Sequence, residues 1–216
     1  MKMWDLIREQ VSPSRLYHWT GFGALPEILK SNTLKASASQ FSNDAGVSFA
    51  RVPTATSISG IRPAVLVFDQ EKVAHNHRMI PRYGDSQQAA DFVAGSGGEY
   101  EAVVAGKETE EKVMGDVKPI DRMLTHIVCQ WHWYNLMVDG YVELHTAKYN
   151  KRRANLSHPE AAYIMEWVAN HPVGILPTDN LTAAWTRKLD TDSVYPSTWS
   201  VAEWKERARV ARDYNR

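Results

Sequence analysis

From Ile61 to Asp69 the chain reads IRPAVLVFD, and Ala64 to Phe68 are apolar without a break. A strand of this kind has no polar face to offer water, so it needs cover on both sides. It belongs inside a sheet with further layers packed over it. At 216 residues the chain is long enough for one sizeable domain around such a core, or for one domain and a helical appendage.

The stretches on either side supply the other layers. Leu25, Ile28 and Leu29 recur at helical spacing, which predicts a helix from about Phe22 to Ser31, with Asn32 as its stop. Just before it, an extended segment would send Tyr17 and Trp19 to one face and His18 and Thr20 to the other. Gly46 to Arg51, GVSFAR, reads as a short strand that Pro53 stops. Gln70 to His77 reads as one or two helical turns. Arg82 to Gly106 is a Gly- and Ser-rich loop, and Glu108 to Met114 begins another strand. Lys118-Pro119 is a break, and Met123 to Trp133 is a further apolar segment, within which IVCQW reads as strand.

The last third changes character. Ser157 and Glu160, and again Ser200 and Glu203, have capping-box spacing, and Thr178-Asp179 can cap a short helix through Trp185. The pattern predicts an α+β protein with a domain over residues 1–150 and a helical C-terminal extension over 151–216 packed on it.

Several function classes fall away. There is no P-loop, no Gly-x-Ser-x-Gly elbow and no GxGxxG. Lysine plus arginine and aspartate plus glutamate balance at 25 each, so no global charge draws the chain to nucleic acid, although Lys148 to Arg153 and Lys205 to Arg216 are local basic stretches. One cysteine, Cys129, excludes an internal disulfide and fits a reducing compartment. No apolar run approaches the roughly 20 residues of a membrane helix, and the start lacks the apolar region of a signal peptide, so a cytoplasmic protein is expected. His126, Cys129 and His132 are spaced by three, but a strand through IVCQW turns Cys129 away from both histidines, so no metal is expected. The Trp131-His132-Trp133-Tyr134 cluster reads as packing, with a base-stacking platform as the sharper alternative.

The order Tyr17-His18-x-Thr20, helix, Val47-Ser48-Phe49-Ala50-Arg51 on a strand, the AVLVFD strand, and then the acidic strand start at Glu108 to Glu111 resembles the NAD-dependent ADP-ribosyltransferase superfamily. It looks most like the DarT-like toxins and small phage-encoded relatives. The resemblance runs from about Leu16 to Cys129, leaving Arg82 to Gly106 unmatched. It implies a split β-sheet core and a mono-ADP-ribosyltransferase that uses NAD as co-substrate and releases nicotinamide. The implied acceptor is macromolecular, a DNA base, RNA or host protein side chain, and a phage-borne enzyme would act in the host cytoplasm.

Carried over by residue, the resemblance makes Tyr17, His18, Trp19, Thr20, Ser48 and Arg51 cofactor-binding residues. Arg51 also joins Glu108, Glu110 and Glu111 as catalytic candidates. Glu110 is the best match for the catalytic glutamate, Glu108 for the first residue of the Q/E-x-E pair, and an alignment on Val113-Met114 prefers Glu111. The residue types suit the chemistry on their own account. Cleaving the nicotinamide–ribose bond develops positive charge on the sugar, which a carboxylate stabilises. An imidazole can bond a ribose hydroxyl, an aromatic face attracts the cationic nicotinamide ring, and a guanidinium matches pyrophosphate. The competing reading is a catalytically silent module that binds NAD, ADP-ribose or nucleic-acid ends through the same pocket.

Overall fold

The computed structural model describes residues 15–39, 42–50, 64–82, 110–149, 158–179, 181 and 183–214. Strand β1 (Arg15–Thr20) leads through a 3-10 turn at Phe22–Ala24 into helix α1 (Leu25–Ser31). Asn32 ends α1 in the left-handed conformation, φ 52°, and its N–H reaches the carbonyls of Ile28 and Leu29, so the expected stop is where it forms. Strands β2 (Ser37–Ser39), β3 (Ser42–Ala50) and β4 (Ala64–Asp69) follow. Helix α2 (Gln70–Asn76) starts directly on β4 because the Asp69 carboxylate accepts from the Lys72 N–H at 3.1 Å. Then come β5 (Met79–Arg82), β6 (Glu110–Met114), β7 (Leu124–Gln130), α3 (Trp131–Tyr149), α4 (Pro159–Ala169), β8 (Gly174–Thr178) and α5 (Val201–Tyr214). The class is α+β, as expected. Among the described residues no helix is long and apolar enough to cross a membrane.

The chain forms two compact units that interleave along the sequence. The first is Met1–His18, Thr33–Pro53 and Phe68–Met123. Here β3 is the hub, antiparallel to β2, to β1 and to β6, while β6 also pairs with β5. Val47, Phe49 and Val113 are buried from this sheet, and Phe49 meets Phe68 edge-on with centroids 5.4 Å apart. Burying a phenylalanine this fully stabilises by about 1.5–3 kcal/mol. Leu34 and Val117 close a one-residue bridge, and Ile120 and Met123 complete the core.

The second unit is Trp19–Asn32, Thr54–Val67 and Leu124–Arg216. Its strands β7 and β8 are parallel, which obliges a crossover, and α3 and α4 supply it. The hydroxyl of Thr125 donates to the Val67 carbonyl at 3.0 Å, setting β4 beside β7, and Ala64 to Val67 are fully buried, as their apolar run requires. Helix α3 lies close on α4: a Cβ added at Gly140 would stand 3.1 Å from the Ala162 nitrogen. Phe22 stacks on Trp133 at 4.1 Å, and α5 is held to α3 by Arg212 Nε to Asp139 Oδ1 at 3.1 Å and by Tyr141 on Trp204.

Four local expectations change. The apolar segment from Met123 is strand only to Gln130, and the 19-residue helix α3 follows at once. The N-cap of α4 is His158, without a side-chain cap bond; Ser157 lies outside the described residues. Thr178 closes β8 instead of capping a helix, and Ala183–Lys188 is 3-10. That strand also means the last third is not wholly helical. The second capping box does form: the Ser200 N–H reaches Glu203 Oε2 at 2.7 Å, and the Glu203 N–H reaches Ser200 Oγ at 3.3 Å.

Candidate functional site on β1, β3 and β6

In the first unit three strands carry the residues that the sequence singles out. β3 takes the middle, with Tyr17 of β1 opposite Ala50 on one side and Glu110 of β6 opposite Ala50 on the other. One step along, the antiparallel register sets His18 across from Phe49, and Phe49 is across from Glu111. The rings of His18 and Phe49 meet with centroids 5.7 Å apart. Two rows therefore cross the sheet, Tyr17–Ala50–110 and His18–Phe49–111, and successive positions on a strand belong to opposite faces.

His18 is half-buried, and its Nδ1 lies 3.0 Å from the carbonyl oxygen of Ser48. A carbonyl can only accept, so Nδ1 carries the hydrogen and donates it. In the neutral form of the ring the lone pair is then on Nε2. The bond spans 30 residues of sequence and fixes the imidazole against β3. Ser48 itself is exposed, between the buried Val47 and Phe49.

Tyr17 is 3% exposed and Trp19 8%, so both rings are packed, unlike the open stacking faces the sequence suggested. Thr20 is buried as well, which breaks the simple alternation expected of β1. Trp19 and Thr20 belong to the second unit. Glu110 and Glu111 are placed by their backbones at the start of β6. Arg51, Glu108 and the expected Gly-rich loop after Arg82 lie outside the described residues.

No family model matches the chain, and no curated protein matches it. Among solved structures it is similar to DarT from Thermus sp. 2.9 in complex with NAD+, at 11% identity and a TM-score of 0.42 over 79% of this chain and 98% of that one. The same protein in complex with ADP-ribosylated ssDNA matches at 11% identity, TM-score 0.42, over 79% and 96%. Its complex with carba-NAD+ matches at 12%, TM-score 0.42, over 79% and 98%.

The other sequence candidates take structural roles. His126 is buried, with Nδ1 3.1 Å from Thr125 Oγ1 and Nε2 3.1 Å from the Tyr195 hydroxyl. Cys129 is fully buried, and burial pushes its thiol up to about 12. Trp133 is taken up by its stack on Phe22. Sequence reasoning missed a cavity at the start of α3, because it gathers residues from positions 131 to 207 that share no motif.

Proposed function

We propose that this chain is a mono-ADP-ribosyltransferase that moves ADP-ribose from NAD to a macromolecular acceptor. The observation that carries this reading is the register. β3, which leads into Arg51, is flanked by the strand of His18 and by the strand that opens with the glutamates. Two strand spacings, about 10 Å, separate the backbones of the outer pair. A ribose lying over that row would be within reach of both an imidazole and a carboxylate.

In this reading His18, its tautomer set by Ser48, accepts a ribose hydroxyl at Nε2, and Arg51 holds the pyrophosphate. Ser48 and Tyr17 complete the cofactor side within the first unit, the buried Tyr17 ring as a wall. A carboxylate on β6 stabilises the charge that develops as the bond from ribose C1′ to the nicotinamide nitrogen breaks. Nicotinamide leaves neutral with the bonding pair, an acceptor heteroatom forms the new bond to C1′, and the acceptor's proton passes to a base. The row His18–Phe49–111 favours Glu111 for the charge-stabilising role over Glu110, the better match by motif, because position 111 shares the face of His18. Glu110 and Glu108 are then left to the acceptor.

The residues of this reading all fall within 1–150. The acceptor is a DNA base, RNA or a protein side chain, and a phage-borne enzyme would meet it in the host cytoplasm. The test is to incubate the protein with NAD labelled in the adenylate and to separate protein, single-stranded DNA and RNA. Label entering one pool with stoichiometric nicotinamide release supports the transferase. Binding of NAD or ADP-ribose without nicotinamide release from any mixture would replace it with the silent binding module.

A further inference from the structure

β7 and β8 run parallel with Gln130 opposite Thr178, and α3 starts at Trp131 with no residue between strand and helix. Ligands of sheets with parallel strands gather outside the strands' carboxyl ends, and the first turn of a helix adds N–H groups with no partner inside it. At this edge the second unit holds a cavity of about 310 Å³, within the range of small-molecule sites. Trp131 lines it and is 37% exposed, in edge contact with Tyr134 at 5.5 Å. Tyr134 is 3% exposed, and its hydroxyl is buried without a hydrogen-bond partner. Burial pushes that phenol up to about 12 against the pull of the nearby Arg207 guanidinium.

Lys188 and Arg207 line the same cavity; among the described residues neither closes a salt bridge, and Arg207 lies over the Trp199 ring at 5.4 Å with the Glu203 carboxylate in its field. Asp179 and Asp192 line it too. A simple anion leaves the two aspartates opposed, a simple cation leaves the lysine and arginine opposed, and a neutral ring uses none of the four charges. We propose that this cavity binds a nucleoside monophosphate unit, its phosphate on Lys188 and Arg207, its base against Trp131, and its ribose hydroxyls or exocyclic amine on Asp179 and Asp192. The unit is either a free nucleotide or one residue of a nucleic-acid strand. The inference uses neither His18 nor the glutamates and stands without the transferase reading.

The test is calorimetric titration of the full chain with AMP, with adenosine and with a 5′-phosphorylated single-stranded tetranucleotide. AMP should bind at least about tenfold more tightly than adenosine, the worth of a charge-assisted contact. Lys188→Ala, Arg207→Gln and Trp131→Ala should each weaken it by a similar factor, while Lys30→Ala, at an exposed position of α1 outside the cavity, leaves it unchanged. All three replaced side chains are exposed, and circular dichroism checks that the variants keep their fold. Tighter binding of the tetranucleotide through the same residues assigns the site to a strand, and equal or weaker binding assigns it to free nucleotides. If the folded protein binds neither AMP nor the tetranucleotide at about 1 mM, or binds AMP with no response to the three substitutions, the proposal is overturned.

Discussion

The imidazole of His18 donates from Nδ1 to the main-chain carbonyl of Ser48, 3.0 Å away, so the backbone of the neighbouring strand helps to orient the histidine. The serine hydroxyl plays no part in that bond, which separates the roles of the two residues.

Replacing His18 with alanine should raise the KM for NAD about 2- to 10-fold, the worth of one ribose hydrogen bond, with a small fall in thermal midpoint from the lost tie between β1 and β3. Ser48→Ala should leave that midpoint and His18's orientation unchanged. Steady-state nicotinamide release, beside a melting curve, distinguishes the two. A KM that is indifferent to His18 removes it from the cofactor site.

The β6 register makes a sharper demand. Glu111→Gln should lower transfer by roughly 100-fold or more while NAD affinity stays nearly constant, because the interaction belongs to the transition state. Glu110→Gln should have the smaller effect on nicotinamide release. The opposite ranking would show that the row through His18 and Phe49 is not the reacting face, and loss in neither would leave the carboxylate mechanism without support.

Cys129 should resist thiol reagents in the native protein at pH 8. Its side chain is fully buried, and its thiol, pushed up to about 12, stays protonated there. Stoichiometric labelling is expected only in denaturant. Rapid native labelling would mean that β7 opens readily.

Gly174→Ala should destabilise the protein by about 1–3 kcal/mol, the usual cost of overpacking. The added Cβ would stand 2.6 Å from His126 Cδ2, and that ring is held between Thr125 and Tyr195. Denaturant unfolding measures it, and Tyr195→Phe in the same background should recover part of the loss by freeing the ring to move.

Where local chemistry and tertiary packing agree, the structure could be read from the residues. Ala64 to Phe68 had no polar face and became a buried strand, Asn32 could enter the left-handed region and ended α1, and Ser200 with Glu203 closed a capping box. Helix α3 was hidden for an opposite reason. It opens with three aromatics and a histidine, follows β7 without a loop, and carries Gly140 in its interior, all of which weaken a local helical signal. That glycine serves the contact with α4, a partner far along the chain. For the candidate site, the order of motifs singled out His18 and the glutamates as candidates. Which glutamate shares a face with His18 depends on pairing across three strands, and no single segment contains that information.

The seamless passage from Gln130 to Trp131 makes chain length part of the packing code. A residue inserted between them would turn all of α3 by about 100° relative to β7. The slot of Gly140 would then receive Asp139, setting a carboxylate where Ala162 approaches closely and carrying Asp139 away from Arg212. Substitutions along this helix test one contact at a time, but an insertion or deletion at its start shifts the phase of every contact together. The junction should therefore tolerate changes of residue far better than changes of length.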